Sequence, residues 1–298
     1  MTRFDPWRAC GFLLCAQLFF TLLDAGGKAL ADDMGIPLLA LVRHAGQVLV
    51  MAVLLGPRMG RDLWQTGHWP LQVARGIVLG AFTLCFFSAL RHLPQAEATA
   101  INFIAPFIVM LLAGPLLGEQ VGAGAWIGAT VGFAGMLLIV RPGHALEPLG
   151  VTFALLTVVC NVAFQLLTRR LASLERAVPT IFVSALVGVI LSAAMLPWQD
   201  RWGGWPGALT PGEIGLLCVL GSIGAVSQWL FIRAYYWSSA SFIAPLVYLQ
   251  MAWAVGSGWM FFGQFPDGVT LAGMGIILAG GAIAVWARPR WTLKEGNA

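Results

Sequence analysis

Ten apolar stretches of roughly 17 to 25 residues, each long enough to cross about 30 Å of hydrocarbon as a helix, follow one another with only short polar breaks. They run approximately from 9 to 30, 36 to 56, 73 to 92, 96 to 117, 124 to 141, 149 to 168, 179 to 197, 212 to 236, 241 to 262 and 269 to 287. Inside a bilayer every backbone N–H and C=O must be satisfied by the protein itself, so a chain patterned in this way is restricted to a bundle of helices. Helix breakers mark the joints, among them Gly56-Pro57, Arg141-Pro142-Gly143 and the segment WGGWPGALTPG at 202 to 212. Only 10% of the 298 residues are charged, against about a quarter in a soluble domain, and no stretch is left over for one. The lipid bilayer is therefore the first expected partner.

Lys and Arg in the loops set the orientation. With the N-terminus cytoplasmic, Arg3, Arg8, Arg58, Arg61, Arg75, Arg169, Arg170, Arg176, Arg288, Arg290 and Lys294 gather on the inner side, and Arg91, Arg141 and Arg201 fall outside. Both termini are then cytoplasmic, and the basic pI near 9.0 reflects topology instead of nucleic-acid affinity. The first apolar stretch ends in Ala29-Leu30-Ala31, a sequence of signal-peptide type. It is expected to be retained, because it has a counterpart at 149 to 168. Cys10, Cys15, Cys85, Cys160 and Cys218 lie inside apolar stretches without metal-ligand spacing, and they read as packing residues.

An internal repeat governs the expected architecture. A shift of 145 residues superposes Phe86 on Phe231, Ala89 on Ala234, Gly118 on Gly263, Gly128 on Gly273, Gly135 on Gly280 and Val140 on Val285. The tetrapeptide FIAP recurs at 103 to 106 and 242 to 245, but that spacing loses the glycine matches and is taken as accidental. Each unit holds five helices, an odd number, so the second enters the membrane inverted relative to the first. The expected fold is an all-α polytopic membrane protein of ten transmembrane helices in two inverted five-helix repeats, residues 1 to 143 and 144 to 298. Such inverted repeats characterise secondary transporters, whose two equivalent halves exchange inward-open and outward-open shapes.

The segments ALRHLPQAEATAINFIAPFIVMLLAGPLLGEQ at 89 to 120, GAWIGATVGFAGMLLIVRPG at 124 to 143 and IRAYYWSSASFIAPLVYLQMAWAVGSGWMFFGQFPD at 232 to 267 resemble the two repeats of EamA-type transporters of the drug/metabolite transporter superfamily. The pattern at 89 to 120, with an Asp four residues before a Lys in the first helix, is most similar to branches associated with S-adenosylmethionine or riboflavin uptake. The resemblance implies a carrier for a small-molecule metabolite. Where the first repeat has Gly118-Glu119 the second has Gly263-Gln264, so the family's Gly-Glu charge is not required in both halves.

Polar side chains at helical spacing inside the apolar stretches are the candidate site. Gln17, Thr21, Asp24 and Lys28 form one stripe on the first helix, and Thr157, Asn161, Gln165 and Thr168, with Arg169 beside them, form its counterpart on the sixth. A shift of 141 places Asp24 over Gln165 and Lys28 over Arg169. Charges in hydrocarbon are costly unless paired or facing a wet cavity, so these stripes are expected to line the substrate path. Asp24 with Lys28 would gate the outside, and Gln165 with Arg169 the inside; a structural ion pair and a basic anchor are the alternative roles. Arg43, next to His44, is placed to meet Asp24 or a substrate anion. Gln95, Thr99, Asn102 and Pro106 mark a face of the fourth helix, where proline frees the carbonyl of Asn102. Gln228, Trp229, Tyr248, Gln250 and Trp253 combine amides with aromatic rings suited to stacking on a planar or cationic metabolite. Arg233, near the inner end, reads as an anchor. Gly124, Gly128 and Gly132 permit close helix contact, either within the chain or as a homodimer seam through the fifth and tenth helices. Glu119 is expected to cap the fifth helix.

Chemistry of other kinds lacks its residues. His44, His68, His92 and His144 are dispersed, Ser257 has no evident base, and neither a metal cluster nor a nucleotide-binding Gly-rich loop is present, so no enzyme, cofactor or metal is expected. The expected function is alternating-access transport of a small polar or zwitterionic organic metabolite across a bacterial cytoplasmic membrane. A passive channel or a membrane sensor or structural subunit is the alternative.

Overall fold

The computed structural model describes residues 5–31, 34–93, 95–118, 121–140, 147–202, 204–205, 207, 210–263 and 267–286. Helices joined by short connections make up these residues, and no strand occurs among them. The first five apolar stretches form α1 (Pro6–Ala31), α2 (Ile36–Met59), α3 (Trp69–His92), α4 (Gln95–Asn102) with α5 (Ile104–Leu117), and α6 (Ala123–Val140). The rest form α7 (Pro148–Leu174), α8 (Ala177–Met195), α9 (Pro211–Trp237), α10 (Ala240–Val247) with α11 (Gln250–Phe262), and α12 (Gly268–Trp286). Six helical segments, Pro6–Leu30, Ile36–Leu63, Trp69–His92, Pro148–Leu174, Ala177–Arg201 and Gly215–Trp237, are long and apolar enough to cross a membrane. Ile104–Leu117, Ala123–Leu138 and Leu271–Ile283 are shorter apolar helices.

Local sequence sets the helix ends. Pro37, Pro70 and Pro148 sit in the first turns of α2, α3 and α7, where a missing N–H costs nothing. Gly118 and Gly263 terminate α5 and α11 with φ of 67° and 65°, the left-handed region that other residues enter at a cost. Glu119 and Gln264, which follow them, lie outside the described residues.

Two stretches are split, at Phe103 and at Tyr248-Leu249, positions 145 apart for the first residue of each break. The two break rings meet edge to face at 5.5 Å. Gln17 of α1 donates to the carbonyl oxygen of Leu246 at 3.0 Å, satisfying backbone at the second break.

Beside an apolar core, the bundle buries polar side chains and turns large apolar ones outward. Gln17, Arg43, His44, Gln47, Gln72, Arg75 and Thr83 are buried, while Leu49, Val53, Val159 and Ile190 are more than 60% exposed. That inversion of the soluble pattern fits a protein whose solvent is lipid.

Glycines bring helices to backbone contact. A Cβ on Gly280 of α12 would lie 2.7 Å from the carbonyl oxygen of Gly128 and 2.7 Å from the nitrogen of Gly132 on α6. Gly132 also accommodates the ring of Tyr248. The small-residue stripe of α6 is thus used inside the chain, and a homodimer through α6 and α12 would have to use their lipid-side residues such as Ile127, Ile276 and Leu278.

Packing partners come in exchanged pairs. α1 packs along α9 as α7 packs along α3, and α2 lies on α9 as α8 lies on α3. α2 also packs on α8, and α6 on α12. The α3–α7 pair is clasped at both ends: His92 Nδ1 lies 3.0 Å from Glu147, and His68 Nδ1 lies 2.9 Å from Glu175. Glu175 additionally accepts from the Thr66 hydroxyl at 2.8 Å and the Gly67 and His68 amides at 2.9 and 3.1 Å. Burial pushes its carboxyl up, but these donors, led by His68, outweigh it and hold the group below the ordinary carboxylate range.

Candidate functional site

Where α1, α2, α3, α4, α7, α9, α10 and α11 converge they enclose a cavity with about 690 Å³ of empty space, its open mouth included. Its polar wall is Asp24, Arg43, Thr99, Asn102, Asn161, Gln165, Gln228 and Gln250. Phe20, Phe82, Phe86, Phe164 and Phe231 supply most of the apolar wall. Phe231 meets Phe20 edge to face at 5.6 Å and stacks on Phe164 at 5.8 Å. A concave site with an aromatic body and a few convergent polar groups suits a small organic solute.

Hydrogen bonds hold the amides in fixed orientations. Asn161 Nδ2 donates to Asn102 Oδ1 at 3.0 Å, and Gln165 Nε2 donates to Asn161 Oδ1 at 3.1 Å. The Tyr235 hydroxyl donates to Gln165 Oε1 at 2.9 Å. This chain crosses from α4 through α7 to α9, and so joins residues from both ends of the sequence. Each amide keeps unused donors or acceptors for a ligand.

Asp24 and Arg43 are the charges in the wall, and they attract each other from α1 and α2. The guanidinium of Arg43 also lies 5.6 Å from the centroid of the Phe87 ring. Among the described residues Asp24 makes no ion pair with Lys28, and Lys28 is not part of the wall. Helical spacing brought Lys28 to the same stripe, but the electrostatic partner comes from the neighbouring helix.

Eight sequence-expected binding residues therefore meet at the cavity: Asp24, Arg43, Thr99, Asn102, Asn161, Gln165, Gln228 and Gln250. The others do not line it. Thr21 is buried beside Gln17 on α1. Trp229 and Trp253 are 39% and 38% exposed on the outside of the bundle, and Trp229 packs against Phe12. Tyr248 is fully buried against Phe103 and Gly132. Arg169 Nη1 donates to the carbonyl oxygen of Tyr235 at 2.9 Å, tying α7 to α9. Arg233 lies within 5.8 Å of the ring centroids of Phe12, Trp229, Tyr236 and Trp237. The side chain of Gln95 is outside the described set.

Arg75, counted from the sequence among the basic residues on or near the inner side, was not among the expected site residues. It is fully buried, donates to Thr168, Ser184 and Gln228, and lies over Phe164 with 4.5 Å to the ring centroid. It stands near the start of the apolar stretch at 73 to 92, but α3 begins at Trp69, a turn and a half earlier. The readable signal was the stripe Gln72, Arg75 and Thr83, which share one helical face.

The comparisons with known proteins agree with this geometry. A crystal structure superposes with a TM-score of 0.78 over 96% of this chain and 100% of the other at 20% identity, which shows a shared fold. A pseudopaline exporter of Pseudomonas aeruginosa is 26% identical over 91% of this chain and 93% of its own length. An S-adenosylmethionine uptake transporter of Rickettsia conorii is 28% identical over 74% of this chain and 72% of its own. A riboflavin transporter of Rhizobium johnstonii is 27% identical over 90% and 87%. These relatives are named as transporters and not as enzymes, and the model of the EamA-like transporter family matches residues 7–141 and again 148–286. With both matches spanning nearly all of the helical bundle, the chain belongs to the EamA-like transporter family.

Proposed function

We propose that the protein is a secondary carrier that moves a small polar or zwitterionic organic metabolite across the bacterial cytoplasmic membrane by alternating access. The observation that carries this reading is the central cavity, which combines opposite charges, a fixed row of amides and aromatic walls drawn from both halves of the chain. The names of the relatives point to organic solutes moved in either direction, an exporter and uptake transporters alike. Ten spans in two inverted units, 1 to 143 and 144 to 298, with both termini cytoplasmic, account for the exchanged packing. If the units are related by a two-fold axis in the membrane plane, α1 on α9 becomes α7 on α3, as observed.

Uptake into proteoliposomes of S-adenosylmethionine, riboflavin, aromatic amino acids and purines, with and without a pH gradient, tests the reading. A carried solute should enter faster when the same unlabelled solute is preloaded inside. Flux that is indifferent to preloading marks a channel, and labelled product marks an enzyme; either overturns the proposal.

The orientation has its own measurement. Cysteines introduced at Arg58 and Arg176 should be protected from an impermeant thiol reagent in intact cells, and one at Trp205 should react. Reaction at Arg176 without permeabilisation would reverse the assigned sides.

A further inference from the structure

Arg75 is a full positive charge in the interior of the bundle, held only by neutral acceptors. Nε donates to Thr168 Oγ1 at 2.9 Å, Nη1 to Ser184 Oγ at 2.8 Å and Nη2 to Gln228 Oε1 at 2.8 Å. These bonds use three of the five guanidinium N–H groups. Among the described residues no carboxylate lies within ion-pair distance of it. A buried charge without a countercharge is costly, and such residues inside membrane proteins mark pathways. Mere bridging of helices would be served by a neutral donor.

Two of the groups that hold Arg75 are also cavity wall. Gln228 lines the cavity while its Oε1 accepts from Nη2, and Phe164 lines the cavity while its ring covers the guanidinium. Arg75 is therefore one side chain behind the surface that a solute touches. The wall itself carries one charge of each sign, Asp24 and Arg43, whereas Arg75 behind it is held by neutral acceptors alone among the described residues.

We propose that Arg75 is the anion-recognising residue of the cavity, and that the carried solute bears a carboxylate that takes the place of Gln228 Oε1 at Nη2. This rests on the transport reading above. The exchange is favourable because a charge-assisted guanidinium–carboxylate bond is about twice as strong as one to a neutral amide. The planar fork also offers a carboxylate a second donor, which an amide oxygen cannot use. Gln228 needs only to turn its side chain for the site to open. Arg75 ties α3 to α7, α8 and α9, so withdrawal of one of its three bonds by the solute would loosen the contact between these helices from the cavity side.

The test measures binding without transport. Thermal unfolding of the purified full-length protein is followed by tryptophan fluorescence against titrations of matched pairs: glutamate and glutamine, phenylalanine and phenylalaninamide, S-adenosylmethionine and its decarboxylated form. At least one carboxylate should bind about tenfold or more tightly than the partner that lacks that carboxylate. That preference should vanish in Arg75→Gln, survive in weakened form in Arg75→Lys, and increase in Gln228→Leu, where the competing acceptor is gone. Equal binding of every pair by the wild type, or an unchanged preference in Arg75→Gln, overturns the proposal. Should Arg75→Gln fail to fold, Gln228→Leu decides: a preference no greater than in the wild type refutes the exchange. A protein that transports a solute lacking a carboxylate leaves the carrier reading intact and removes this one. Carboxylate binding that depends on Arg75, without flux in proteoliposomes, does the reverse.

Discussion

Asp24→Asn is expected to reduce transport by about tenfold or more while leaving folded protein in the membrane. The carboxylate stands in the wall of the cavity proposed to take the solute, so the change removes a charge from that wall and with it the attraction between Asp24 and Arg43. Breaking a buried pair from one side leaves an uncompensated charge and is far more damaging than removing both charges together. That asymmetry separates the roles. If Asp24 and Arg43 serve only to hold α1 to α2, then Asp24→Asn combined with Arg43→Gln should restore abundance and transport together. If they serve the solute, the double variant should recover abundance and remain inactive. Uptake per folded molecule, with the folded amount read by size-exclusion chromatography, makes the distinction. Full activity of the double variant would remove both residues from the site.

Gly280→Ala is expected to destabilise the protein by about 1–3 kcal/mol or more, the range for overpacking a contact that cannot relax. The added methyl would meet the backbone of Gly128 and Gly132 at 2.7 Å, and backbone cannot swing aside as a side-chain end can. α12 would have to move off α6. Gly275→Ala on the same helix is the control, because nothing lies within 4 Å of its Cβ position. There the gain in helix propensity should leave stability unchanged or raised by about 0.5–1 kcal/mol. Thermal midpoints in detergent compare the two. Equal midpoints for Gly280→Ala and Gly275→Ala would mean that the α6–α12 contact is looser than described.

The location of the helices was open to sequence reading because an apolar stretch of membrane-spanning length has one dominant backbone solution. Periodicity worked equally well for the amides. Asn161 and Gln165 are four residues apart on one face of α7, and Asn102 on α4 ends hydrogen-bonded to the first of them. Gly118 and Gly263, 145 apart, both end their helices in the left-handed region, and the helix breaks that begin at Phe103 and Tyr248 have the same spacing.

What periodicity cannot supply is the identity of the facing surface. In water an apolar stripe must turn inward, but in lipid an apolar residue is equally at home against a tail or a neighbouring helix, so hydrophobicity does not fix the rotation of a helix about its axis. Trp229 and Trp253 share the length of the bundle with cavity residues, yet only the packed structure turns them outward. Lys28 follows Asp24 by one turn, but the charge that Asp24 meets arrives on α2 from Arg43. Arg75 reads from the sequence as one of the inner-side basic residues, and only the convergence of α7, α8 and α9 around α3 makes it a buried charge beside the cavity. The chain's order of apolar and polar residues determined that helices form, where they break and which side chains share a face. The packing of those helices decided which faces meet one another and which meet lipid, because that choice depends on shape and polar pairing between segments distant in sequence.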